Sequence, residues 1–84
     1  MRTVILSCWD NETQMYEFVY LTLVVLQKDE SQLNWQLDCE TNFDSEEVYS
    51  LFYHFKHAAE QKLNSTKKLF VKKGFKVVSD LTHN

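Results

Sequence analysis

Eighty-four residues with one Gly, no Pro and a formal charge of −3 suffice for one hydrophobic core and exclude a cofactor cleft framed between two domains. Six Phe, four Tyr and two Trp argue for a packed globule and against disorder. The charge is unevenly spread: residues 1–55 hold ten carboxylates against Arg2 and Lys28, and residues 56–84 hold seven lysines against Glu60 and Asp80, so about −8 is followed by about +5.

Met1 to Trp9 reads as a strand, with Val4, Leu6 and Cys8 alternating against Thr3, Ile5, Ser7 and Trp9. Asp10-Asn11-Glu12-Thr13 supplies a turn. A long strand follows from Gln14 to Gln27, carrying Tyr16, Phe18, Tyr20, Thr22, Val24 and Leu26 on one face. The other face holds Met15, Val19, Leu21, Leu23 and Val25, broken only by Glu17. Apolar residues on both faces mark a central strand. After a turn at Lys28-Asp29-Glu30-Ser31, a third strand sets Leu33, Trp35, Leu37 and Cys39 inward and Asn34, Gln36, Asp38 and Glu40 outward, the pattern of a sheet with one dry and one wet face.

Asp44 can cap a helix, Glu47 completes a capping box, and Phe43 with Val48 forms a hydrophobic staple. These signals predict a helix from Ser45 to about Leu63, burying Val48, Leu51, Phe52, Phe55, Ala59 and Leu63. Lys67 to Asp80 reads best as a strand with Leu69, Val71, Phe75 and Val77 inward. Lys72-Lys73-Gly74 could instead be a hairpin turn, or a helix end before a strand beginning at Phe75. The expected fold is α+β in the order β-β-β-α-β: a three-stranded antiparallel meander, one helix packed on one face, and a C-terminal strand or short hairpin, all in one compact domain spanning residues 1–84.

That order would gather Asp10, Glu12, Asp38, Glu40, Asp44, Glu46 and Glu47 at one end of the sheet as an acidic pole. Lys28, Lys62, Lys67 and Lys68 would collect at the other end. Part of this pattern complements the helix dipole and keeps the domain soluble. Its functional reading is an acidic surface that docks on a basic protein partner. One helix covers one sheet face, so either Tyr16, Phe18 and Tyr20 with Ile5 and Trp9, or Met15, Val19, Leu21, Leu23 and Val25 with Val4 and Leu6, should be left uncovered. A homodimer or a docked partner would bury that face.

The alternative partner is nucleic acid, held by Lys67, Lys68, Lys72, Lys73 and Lys76 with Phe70 and Phe75 interleaved as stacking platforms. The acidic pole would repel such a polyanion. His54 and His57 are two imidazoles without further ligands, so no metal is expected. Cys8 and Cys39, on strands separated by a third, should stand ~9 to 10 Å apart as reduced thiols. No glycine loop, serine elbow or HExxH motif is present, and no cofactor is expected. Asn11-Glu12-Thr13 and Asn64-Ser65-Thr66 match the glycosylation pattern by chance. With no signal-peptide pattern, and a longest apolar run, Leu21 to Leu26, too short to span a bilayer, the chain reads as cytoplasmic with no membrane partner. In size, acidity and want of a catalytic motif it is similar to small phage or mobile-element inhibitors of nucleic-acid-handling systems, of the anti-restriction or anti-CRISPR type. The expected function is accordingly that of a non-enzymatic interaction module.

Overall fold

Alternating apolar residues form the first three strands where the sequence places them. In the computed structural model, which describes residues 1–28 and 33–83, they are β1 (Arg2–Asp10), β2 (Met15–Lys28) and β3 (Leu33–Thr41). Both pairings are antiparallel, with Val4 opposite Leu21, Leu6 opposite Val19, Leu21 opposite Cys39 and Leu23 opposite Leu37. These side chains are the buried centre of the sheet. Turn chemistry at Asp10 also acts as expected. Its carboxylate accepts the Glu12 N–H at 2.9 Å, its carbonyl accepts the Gln14 N–H at 2.8 Å, and Gln14 closes the loop at a left-handed φ of 55°. The turn expected at Lys28-Asp29-Glu30-Ser31 falls on residues 29–32, outside the described ones.

The helix expected from Ser45 does not form there. Tyr49–Tyr53 is instead a fourth strand, β4, paired antiparallel with β3 so that Tyr49, Leu51 and Tyr53 stand opposite Cys39, Leu37 and Trp35. The run Val48 to Phe55 fits both periods: its apolar residues recur at helical spacing, but Tyr49, Leu51 and Tyr53 also alternate with Ser50 and Phe52. Aromatic residues favour the pleated surface, and the dry face of β3 offers partners that an isolated helix would lack.

The helix is α1 (Lys56–Lys72), eleven residues later than expected at its start. Ala59, Leu63, Thr66 and Phe70 form its buried stripe. It begins at Phe55 without a side-chain cap and ends in a Schellman motif. The Phe75 N–H donates to the Phe70 carbonyl at 3.0 Å, the Gly74 N–H donates to the Val71 carbonyl at 3.1 Å, and Gly74 takes φ 103°. The Phe70 and Phe75 rings meet edge-on at 5.3 Å to complete it. Lys67 to Asp80 is therefore not one strand: it is the last turns of a helix, a glycine stop and β5 (Lys76–Thr82).

Since α1 crosses the sheet, β5 pairs antiparallel with β1 at the edge remote from β4, giving the strand order β4-β3-β2-β1-β5. The fold is thus α+β with a five-stranded antiparallel sheet and one helix, in the order β-β-β-β-α-β, rather than the expected three-stranded meander. Seventeen helical residues reach ~25 Å, whereas the fourteen of β2 reach ~46 Å, close to the 51 Å long dimension. The helix therefore covers at most about half the sheet's length, and Val25, on its side of β2, stays exposed. Among the described residues no helix is long and apolar enough to cross a membrane.

Candidate interaction surface

Strand register decides which of the two apolar sets of β2 is covered. Val19, Leu21 and Leu23 share the helix side with Val4 and Leu6 and are buried. The opposite face receives Trp9 opposite Tyr16, Ser7 opposite Phe18, and Ile5 opposite Tyr20. No element lies over this face among the described residues. Its aromatic rings form a continuous row: Trp9 meets Tyr16 edge-on at 4.9 Å, Tyr16 lies 6.2 Å from Phe18, and Phe18 stacks 6.0 Å from Tyr20. Trp9, Tyr16 and Tyr20 keep 47%, 54% and 37% of their surface exposed, and Ile5 and Phe18 are half-buried beside them. These five are one of the two sets that the alternation leaves as candidates for an uncovered face.

The same face turns acidic toward β3. Glu40 stands opposite Tyr20 and Asp38 opposite Thr22. The Asp38 carboxylate accepts the Ser50 hydroxyl at 2.6 Å and the Gln36 amide at 3.0 Å, which holds it in place beside β4. Among the described residues Glu40 makes no such bond, and it is exposed. Asn42 fixes the aromatic row from below, a role that no sequence signal singled out. Its side-chain oxygen accepts the Phe18 N–H at 2.7 Å and its amide donates to the Tyr16 carbonyl at 3.1 Å. A side chain thereby continues the strand pairing past the end of β3 and anchors the backbone that carries Tyr16 and Phe18.

Of the other expected site residues, Asp10 ends β1, Glu12 lies in the β1–β2 turn, and Asp44 and Glu46 are exposed between β3 and β4. The lysines do not collect at an opposite pole. With the helix shifted along the chain, its C-terminus packs against the segment holding those acids. Phe43 stacks on Phe75 at 5.8 Å, and Lys73 reaches Glu47 at 3.7 Å. Lys67 pairs with Asp80 at 3.1 Å, Lys62 lies over the Tyr49 ring, and Lys68 and Lys72 are exposed on the helix. Lys76, opposite Ser7, joins the uncovered face. Charge is separated by layer instead. Helix α1 carries five lysines against Glu60, while β1 to β3 and the β1–β2 turn carry Asp10, Glu12, Glu17, Asp38 and Glu40 against Arg2 and Lys28.

Burial accounts for two raised pKa values. Desolvation, with Glu47 adding to it, pushes the Cys39 thiol up to about 11. Desolvation also pushes the Tyr49 phenol up to about 12, against the opposing effect of its 2.7 Å hydrogen bond with Thr66. Cys8 is half-buried, and both cysteines are free thiols. A cleft of about 740 Å³ is lined by Arg2, Leu23, Trp35, Lys56, Glu60 and Asp80. Its charges already answer one another, Arg2 with Asp80 at 2.9 Å and Lys56 with Glu60 at 3.7 Å. His54 and His57 are exposed, and among the described residues no group of three metal-ligating side chains converges. Comparison with protein-family models, curated proteins and solved structures finds no match for this chain. Among the described residues, aromatic rings and carboxylates lie side by side on the uncovered sheet face.

Proposed function

We propose that this chain is a non-enzymatic interaction module whose uncovered sheet face docks on a basic, arginine- and lysine-rich surface of another protein. The observation that carries this reading is the row Trp9, Tyr16, Phe18, Tyr20 lying on the same face as Asp38 and Glu40. A guanidinium stacked over such rings gains roughly 0.5 to 2 kcal/mol, the more so as water is excluded, and a neighbouring carboxylate can accept from its fork of donors. Surfaces rich in arginine and lysine are those with which nucleic-acid-handling proteins hold phosphates. Occupying one would block it, which is the action of an inhibitor of the anti-restriction or anti-CRISPR type.

The alternative, nucleic acid held by the lysine cluster, is supported by exposed Lys68 and Lys72 beside Val71. The aromatics interleaved with those lysines cannot stack on bases, because Phe70 and Phe75 are 1% and 7% exposed. Titration of the isotope-labelled protein with an arginine-rich peptide, and separately with single-stranded DNA, tests both readings. The peptide should shift the Trp9 indole and the amides of Tyr16, Phe18, Tyr20 and Glu40. Tyr16→Ala and Glu40→Lys should each weaken binding about tenfold, or ~1.4 kcal/mol. Shifts confined to residues 44–47 would overturn the sheet-face reading, and tight DNA binding at Lys68 and Lys72 that falls steeply with salt would replace it with the alternative.

A further inference from the structure

The sheet has two open edges, β4 and β5, and they are built differently. An edge strand offers a row of unpaired backbone groups to any other extended chain, and folded proteins blunt it with charges, proline or bulges. β5 carries such devices. Its register against β1 slips between Ile5 and Leu6, leaving Val78 as the extra residue, and Lys76 and Asp80 sit within it. β4 carries none of them. From Val48 to Phe55 there is no Asp, Glu, Lys, Arg, Pro or Gly, and Tyr49–Tyr53 pairs with β3 without a slip. An uncharged, aromatic, regular edge of this kind is the sequence signature of a strand that pairs.

We propose that the free edge of β4 pairs antiparallel with β4 of a second copy of this chain, joining two five-stranded sheets into one of ten strands. The occupant is chosen by the strand's own symmetry. Tyr-Ser-Leu-Phe-Tyr is close to a palindrome about Leu51. Centred there, Leu51 faces Leu51 of the second copy, each Ser50 faces a Phe52, and each Tyr49 faces a Tyr53. Residues directly opposite in an antiparallel pair share a face of the sheet. The two Tyr pairs and the Leu pair therefore meet on the helix side, and the Ser–Phe pairs meet on the uncovered side. Aromatic residues oppose one another and no like charges are brought together. Phe52 is 66% exposed in the single chain, and the two copies of it would flank the two-fold axis.

That axis stands perpendicular to the sheet, so both helices remain on one side and both aromatic rows on the other. The association leaves the proposed docking face free and presents it twice, and it does not depend on that face having a partner. Five residues per strand bury less than the ~1,200 Å² of a stable interface. The dimer is accordingly weak, forming at about 10 to several hundred µM.

The test uses the whole chain, by sedimentation across about 10 µM to about 1 mM and by hydrogen exchange at both limits. A monomer–dimer equilibrium is expected, with the outward-pointing amides of β4 gaining protection at high concentration and those of β5 unchanged. Phe52→Lys, a change at an exposed position, should leave the far-ultraviolet spectrum intact and abolish the dimer by setting like charges on both sides of the axis. In a Cys8→Ser background, oxidation should cross-link Leu51→Cys and not Val78→Cys. A single monomeric species at every concentration would overturn the proposal. So would a dimer protected at β5, one cross-linked through Val78→Cys, or one that survives Phe52→Lys. Failure to self-associate, with β4 gaining protection only against an added extended peptide, would transfer the edge to a foreign strand and equally reject the second copy.

Discussion

Asp80 joins three elements: its carboxylate accepts from Arg2 of β1 at 3.0 and 2.9 Å and from Lys67 of α1 at 3.1 Å, while its own strand is held to the sheet along one side only. The Arg2 hydrogen bonds, followed by that from Lys67, hold its pKa at about 2 against an ordinary 3.8. The matching effect raises Arg2 above its usual value. At ~1.4 kcal/mol per unit the depression corresponds to at most ~2.5 kcal/mol. Water reaches a side chain that keeps 28% of its exposure, and screening reduces the figure to ~1 kcal/mol. Since the folded pKa lies below the unfolded one, this stability is present above pH 3.8 and is lost as pH falls toward about 2.

Asp80→Asn should therefore lower the urea midpoint at neutral pH by about 1 M, taking ~1 kcal/mol/M for a small domain. The gap between variant and parent should close on acidification through that window. Comparing the two proteins at each pH cancels the other carboxylates, which titrate in both. An unchanged midpoint at neutral pH, or a gap that persists to the lowest pH at which both proteins fold, would show that the triad contributes nothing to holding β5.

Phe55 is the helix N-cap in an extended conformation with no side-chain acceptor, so Phe55→Asp should stabilise the domain by ~0.5 to 2 kcal/mol and raise the melting temperature. Asp44→Ala, by contrast, should shift it by less than ~0.5 kcal/mol, and a large loss there would return the helix start to Ser45. Gly74→Ala meets no atom within 4 Å, yet it places a side chain at φ 103° and should cost ~1 kcal/mol in thermal unfolding. The Cys39 thiol, pushed up to about 11 by burial, should escape iodoacetamide near neutral pH until denaturant is added; labelling of Cys39 in the native protein within minutes, seen by mass spectrometry, would contradict that burial.

Legibility in the sequence followed the number of competing periods. In β1, β2 and β3 only the two-residue alternation fits, so their positions, the dry and wet faces of β3, and the grouping of Trp9, Tyr16, Phe18 and Tyr20 with Ile5 could be read directly. Residues 44–55 satisfy a capping box, a staple and a helical stripe as well as an alternation. Local signals outweighed a partner strand that only folding supplies. The misplaced helix start then carried its error into the charges. A helix beginning at Ser45 would end among lysines far from the acidic turns, whereas the helix that forms brings Lys73 to Glu47 and Phe75 to Phe43.

By itself the sequence determined that a sheet with one helix would form, that β2 would be central, and that an apolar face would be left uncovered, because two-residue alternation and chain length are local properties. The tertiary structure decided which face the helix takes, that β4 and β5 become the two edges, and that charge separates by layer. Each of these depends on where distant segments pack. Asn42 shows the limit most simply. Its hydrogen bonds to Tyr16 and Phe18 span 26 and 24 residues, and no pattern within a strand or helix window can announce a partner that far along the chain.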